Sequence, residues 1–297
     1  MQETTGRMPF DGDQTWYRIV GDLGEKIPLL TIHGGPGNTH YYLRPLDLLA
    51  ERYGRPVVYY DQIGCGNSRA ASDPERWTLD FFERELVALR AWLAERHGIE
   101  RVFLLGQSWG GMLLMHYAAQ RPEGVAGVIL ASTLADTDLW VDEAQRLRSY
   151  LPQAMRDALV RADETDNYET PEARAAIAEY YRRHVAAVPE GSRGAWDNPF
   201  RDDPVAAEVY ETMQGKSEFL MTGNLKHWSI VDQLGRIEAP VLITSGIADE
   251  ATPVQQKLIY DHIPGARWEL LPGTHGTHME FPERYCAVVE EFMERVE

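Results

Sequence analysis

The chain has 297 residues, enough for one large domain or two modest ones around a substantial core. Its 46 acidic and 29 basic residues give a net charge of -17, which sets nucleic acids and anionic membranes aside as partners, because either would be repelled. Cys65 and Cys286 lie far apart and suggest reduced thiols rather than a disulfide framework; with a polar start over 1–14 and no long apolar run, the expected compartment is the cytoplasm.

In chain order, short runs rich in β-branched and other apolar residues fall at 29–32, 57–60, 102–105, 128–130 and 241–244, and are predicted to be buried parallel strands. After the first comes the glycine-rich His33-Gly34-Gly35-Pro36-Gly37, whose backbone can approach a bound carbonyl oxygen closely. Between the second and third, a helix is predicted over 80–97: Phe82, Leu86, Leu89 and Leu93 share one face, and Asp80 and Glu83 are placed as a capping pair. Strand, helix, strand is the signature of an α/β protein with a mostly parallel sheet flanked by helices.

Behind the third strand stands Gly106-Gln107-Ser108-Trp109-Gly110, followed by a helical stretch over 112–120. G-x-S-x-G alone would arise by chance about 0.1 times in such a chain. In a strand-turn-helix setting it is the sharp turn that exposes a nucleophilic serine, Ser108, with the helix N-terminus aimed at the site.

From 134 to 229 the strand signal stops. Helical segments expected at 142–149, 172–188 and 203–213 alternate with Pro152, Pro171, Pro189 and Pro199. The expected organisation is therefore a core of 1–133 and 230–297 with a helical cap of 134–229 inserted between sheet strands. After the strand at 241–244 comes Asp249, and after a strand-like run at 268–271 come His275 and His278; 282–296 reads as a closing helix.

A serine hydroxyl needs a base, and the base needs an orienting carboxylate. Ser108, Asp249 and His275 occur in the chain order that this architecture demands, with His278 competing for the base position. The backbone N–H groups of Gly35 and Trp109 are the expected oxyanion donors. No metal or organic cofactor is required, since the two neighbouring histidines lack a recognisable further ligand set.

The motifs His33-Gly34-Gly35-Pro36-Gly37, Asp61-Gln62-Ile63-Gly64-Cys65-Gly66-Asn67-Ser68 and Gly106-Gln107-Ser108-Trp109-Gly110-Gly111, with the stretch 213–253, resemble the proline iminopeptidases and the related L-amino acid amidases of the α/β-hydrolase fold. The resemblance implies a Ser108, Asp249, His275 triad under a helical cap, and favours His275 over His278 through its spacing to Pro282-Glu283. It implies that Glu218 and Glu250 bind the free amine of a small amide or short-peptide substrate. Aromatic residues such as Trp109, Phe219 and Trp228 are candidates to line its pocket, with core packing the commoner service of any one of them. The function implied is release of an N-terminal residue, proline foremost, or hydrolysis of an amino acid amide such as L-prolinamide, through an acyl-enzyme. The alternative is a carboxylesterase or lactonase with the same triad and a neutral substrate. The sequence leaves the oligomeric state open.

Overall fold

The computed structural model describes residues 2–187, 198–200 and 202–297. It opens with a hairpin, β1 (Glu3–Phe10) and β2 (Asp13–Val20), that the apolar-run reading did not find. β1 is an edge strand whose residues are mostly exposed, so it carries no continuous apolar run. The signal that could have revealed it is Asp11-Gly12, a two-residue turn with both residues at positive φ, 49° and 88°.

The chain continues through β3 (Leu29–Ile32), α1 (Asp47–Tyr53), β4 (Val57–Asp61), α2 (Leu79–His97), β5 (Val102–Gln107), α3 (Trp109–Ala118) and β6 (Val125–Ala131). Among the described residues α4 (Thr137–Arg148), α5 (Gln153–Thr165), α6 (Pro171–His184) and α7 (Pro204–Met213) follow. The rest is β7 (Val241–Gly246), α8 (Pro253–His262), β8 (Arg267–Leu271), the short α9 (Thr277–Glu280) and α10 (Pro282–Val296). Among the described residues eight strands form one sheet in the order β1-β2-β4-β3-β5-β6-β7-β8, parallel except where β2 meets β1 and β4.

The central strands are buried on both faces, which is why their sequences read as unbroken apolar runs. Leu30, Val58, Leu104, Leu130 and Ile243 pack with Leu86 of α2 and Leu113 of α3. Leu29, Val57, Phe103, Ile129 and Leu242 pack on the other face with Leu49 of α1 and Val289 and Met293 of α10. α4, α5 and α6 hold a small cluster of their own, with Leu147, Leu159, Tyr180 and Phe219 fully or nearly buried.

Two boundaries differ from expectation. The cap of α2 is Thr78, whose hydroxyl accepts from Phe81 N at 3.2 Å; Asp80 sits inside the first turn, so the Asp80–Glu83 pair does not cap the helix. α5, interrupted by neither glycine nor proline after Pro152, was not anticipated, and α6 ends at His184. The expected continuation of that helix is not found over 185–187, and its end at Val188 and the break at Pro189 lie outside the described residues. Among the described residues no helix is long and apolar enough to cross a membrane.

Thr78→Ala is expected to lower the unfolding free energy by about 1 kcal/mol, whereas Asp80→Ala loses only a weaker first-turn charge effect. Urea denaturation midpoints of the two variants compare them directly.

Candidate active site

Ser108 joins β5 to α3 with φ 56° and ψ -123°, a left-handed conformation that costs a non-glycine residue energy. Its surroundings leave no alternative. Ser108 N donates to Ala131 O at 3.0 Å, and Ser108 O accepts from Gly111 N at 2.8 Å and from Thr133 Oγ1 at 2.7 Å. The flanking glycines permit this packing: a Cβ on Gly106 would strike the Gly110 carbonyl, one on Gly110 the Ile32 carbonyl, and one on Gly111 the Thr133 side chain. The first turn of α3 thus lies directly against the C-terminal end of β3.

That end of β3 leads into the glycine loop. A Cβ on Gly34 would come within 3.0 Å of Ser108 Cβ. Gly34 N donates to Tyr42 Oη at 2.6 Å, and Tyr42 Oη donates to Gln107 Oε1 at 2.7 Å, so loop and elbow share one hydroxyl. Gly35 adopts φ 114°, which only glycine takes without strain. Among the described residues neither Gly35 N–H nor Trp109 N–H has a hydrogen-bond acceptor. For Trp109 this follows from its place as the first residue of a helix.

Asp249 is buried in the turn after β7. Its Oδ1 accepts from Ala251 N at 2.7 Å and from His275 Nδ1 at 2.8 Å, and its Oδ2 accepts from Gly246 N at 3.2 Å. His275 Nδ1 therefore carries a proton, leaving Nε2 as the free acceptor of the neutral ring. Ser108 and His275 face one cavity of about 460 Å³, although no hydrogen bond joins them directly in this geometry. His278 also borders this cavity, but its Nε2 donates to Tyr42 O at 3.1 Å rather than facing a carboxylate, and burial pushes its pKa down to about 4.

The end of α6 braces the acid and base loops. His184 O accepts from Glu250 N at 3.1 Å and from His275 N at 3.0 Å, and Val185 O accepts from Gly276 N at 2.9 Å. Carbonyls at a helix C-terminus have no partner within the helix, and here the two loops supply it. Glu218 and Glu250 line the same cavity as Ser108. Glu218 Oε1 accepts from Tyr210 Oη at 2.6 Å and Tyr181 Oη at 3.4 Å, while the buried Glu250 Oε2 has no partner.

The sequence-wide pattern of the alpha/beta hydrolase fold matches residues 27–282. Proline iminopeptidases of Clostridium botulinum and Lactobacillus acidophilus are 41% and 39% identical to the chain, and each alignment covers 99% of both partners. The chain belongs to the proline iminopeptidase family of α/β hydrolases. Among solved structures, the proline iminopeptidase of Mycobacterium smegmatis is 37% identical with a TM-score of 0.89, covering 99% of this chain and 98% of that one. The structure of VinJ is likewise 37% identical, with a TM-score of 0.91 and 99% of both chains covered.

The aromatic lining differs from the candidates taken from the sequence. Trp109 and Phe219 are buried and Trp228 packs against the main core; none lines the cavity. Trp109 follows Ser108 on the elbow, so its ring points into the core, 6.0 Å from Phe82. The aromatic wall is instead Tyr42, Tyr181, Phe200 and Tyr210, side chains delivered by loops and by α6 and α7.

Electrostatically the cavity is rich in carboxyls. Burial disfavours the charged form of His275, but Asp249, with Glu250 and Glu218 behind it, outweighs this and lifts its pKa to about 9. Burial raises Glu218 and Glu250 in turn, and the charge of Glu218 adds to the rise at Glu250. Removing an anion destabilises the imidazolium. Glu218→Gln is therefore expected to move the His275 titration, followed by NMR of the ring protons, from about 9 towards lower pH.

Proposed function

We propose that the chain is a serine aminopeptidase that releases an N-terminal residue, proline foremost, from short peptides or from amides such as L-prolinamide. The observation that carries this reading is the pair Glu218 and Glu250 in the cavity that holds Ser108, with one Glu250 oxygen buried and unpartnered. An ammonium would supply the missing donor and offset the cost of a buried carboxylate beside a half-buried one. A neutral ester offers nothing to either, which weighs against the esterase and lactonase reading. The names of the relatives point the same way.

In this mechanism Ser108 Oγ attacks the carbonyl carbon beside the bound amine as its proton passes to His275 Nε2. Asp249 holds Nδ1–H and stabilises the imidazolium. The carbonyl oxygen becomes an oxyanion between the Gly35 and Trp109 N–H groups, an effect worth about 3 kcal/mol per donor. On collapse the C–N bond breaks and His275 protonates the leaving amine. Water then attacks the acyl-enzyme, gives its proton to His275, and the serine oxygen leaves with that proton. No metal or organic cofactor takes part.

Residues 134–229 serve as the cap in this reading. They supply Glu218, Tyr181 and Tyr210, and α4, α5 and α6 have their own small core. The free, buried Cys65 and Cys286 are consistent with a reducing compartment, and we place the protein in the cytoplasm.

Ser108→Ala is expected to lower kcat on L-prolyl p-nitroanilide by about 10⁴-fold or more; retention of full activity would exclude the mechanism. Glu218→Gln is expected to reduce kcat/KM for the same amine substrate by about 10- to 100-fold, the worth of a charge-assisted contact, while hydrolysis of a neutral nitrophenyl ester changes little. Equal losses on both substrates would favour the neutral-ester enzyme.

A further inference from the structure

The expected oxyanion donors come from separate segments, the loop after β3 and the first turn of α3, and one side chain between them is used by neither. Gln62 follows β4 in the Asp61-Gln62-Ile63-Gly64 turn and is fully buried. Its backbone N–H donates to His33 Nε2 at 2.9 Å. His33 burial pushes the ring pKa down to about 4, so the ring is neutral, and with Nε2 accepting, its proton sits on Nδ1 and is donated to Gly34 O at 2.9 Å. The Gln62 amide completes the span: Nε2 donates to His33 O at 2.9 Å, and Oε1 accepts from Trp109 Nε1 at 3.0 Å. These partners fix which end of the amide is which, because a carbonyl can only accept and an indole N–H can only donate.

We propose that Gln62 is a positioning residue that sets the separation of the Gly35 and Trp109 N–H groups, by holding the His33 carbonyl with one end of its amide and the Trp109 indole with the other. The inference rests on the oxyanion role proposed above for those two groups. It does not depend on which acyl group is cleaved. A backbone donor stabilises an oxyanion only near 3 Å from where the charge develops, so a displacement of one donor weakens the transition state and leaves ground-state binding at Glu218 and Glu250 untouched. The backbone contact of Gly110 with the Ile32 and His33 carbonyls fixes how closely the two segments approach. The β3–β5 ladder and the Tyr42 hydroxyl tie the strand ends and the backs of the two turns, and the Gln62 amide adds the link from the His33 carbonyl to the Trp109 indole.

The test uses Gln62→Met, which keeps the length and loses both bonds, Gln62→Glu, which keeps an acceptor for Trp109 but cannot donate to His33 O when ionised, and Trp109→Phe, which removes the indole donor. Expected for each is a fall in kcat on L-prolyl p-nitroanilide of about 10- to 100-fold, with KM within about threefold of wild type, the range that unchanged ground-state binding allows. A tetrahedral boronate analogue of L-proline should weaken in parallel, and inhibition by L-prolinol should not change. The double variant Gln62→Met with Trp109→Phe should be no slower than the slower single variant, since both remove one strut.

Unchanged kcat in a folded Gln62→Met, a rise in KM without loss of kcat, or additive losses in the double variant would each overturn the inference. If Gln62→Met does not fold, Gln62→Glu and Trp109→Phe decide by the same split between kcat and KM. Ser108→Ala separates the two levels: an active Ser108→Ala removes the acyl-enzyme reading itself, whereas an inactive one beside unaffected Gln62 variants removes only the role of Gln62.

Discussion

Everything at this site hangs on a backbone contact: the first turn of α3 pressed against the end of β3, with Gly110 directly beneath the Ile32 and His33 carbonyls. That approach forces Ser108 into its left-handed conformation and brings the glycine loop within reach of the serine. The cost of the strained residue is spread over the hydrogen bonds from Gly111 N and Thr133 Oγ1 to Ser108 O and from Ser108 N to Ala131 O. Three glycines are required because any side chain at 106, 110 or 111 would separate helix from sheet.

Around this rigid turn the charges are arranged unevenly. Asp249 has three donors on its two oxygens, whereas Glu250, the next residue, has an oxygen with none. Adjacent carboxylates thus differ in surroundings: one is saturated with donors, among them the His275 ring, and the other keeps an oxygen without one. Glu218 occupies an intermediate state, steadied by tyrosine hydroxyls yet facing the same cavity. The carboxyls raise the basicity of His275, and in the proposed reading a bound ammonium would offset that effect.

Buried structure was more legible than exposed structure. The central strands announced themselves because burial on both faces demands unbroken apolar sequence, and the strand-turn-helix setting of Ser108 made a short motif meaningful. The β1–β2 hairpin stayed hidden because its edge strand is mostly exposed, and Thr78 was passed over for Asp80 because capping depends on one backbone angle rather than on periodicity. Chain order brought Asp249 and His275 forward, and the structure joins them at 2.8 Å. Glu218 and Glu250 carry no pattern of their own and were visible only through family likeness. Which way a ring points at an elbow is not written in composition; Trp109 takes the core packing that is the commoner service of such a ring. Gln62 was quoted only as one letter of a turn, since its two-ended contact exists only once β4, the glycine loop and α3 converge.

The brace from α6 bears on how this fold can be altered. Helical insertions between sheet strands look like modules that could be exchanged to change what an enzyme accepts. Here the His184 and Val185 carbonyls accept the backbone N–H groups of Glu250, His275 and Gly276, so the insertion is part of the scaffold that seats the acid and base loops. A grafted insertion with better pocket side chains but without two carbonyls at those points would leave three buried N–H groups unmatched and the imidazole poorly held. The last turn of α6 is constrained through its main chain and its side chains alike, since His184 Nδ1 also reaches Ala248 O at 3.0 Å and Val185 packs on the helical cluster and lines the cavity.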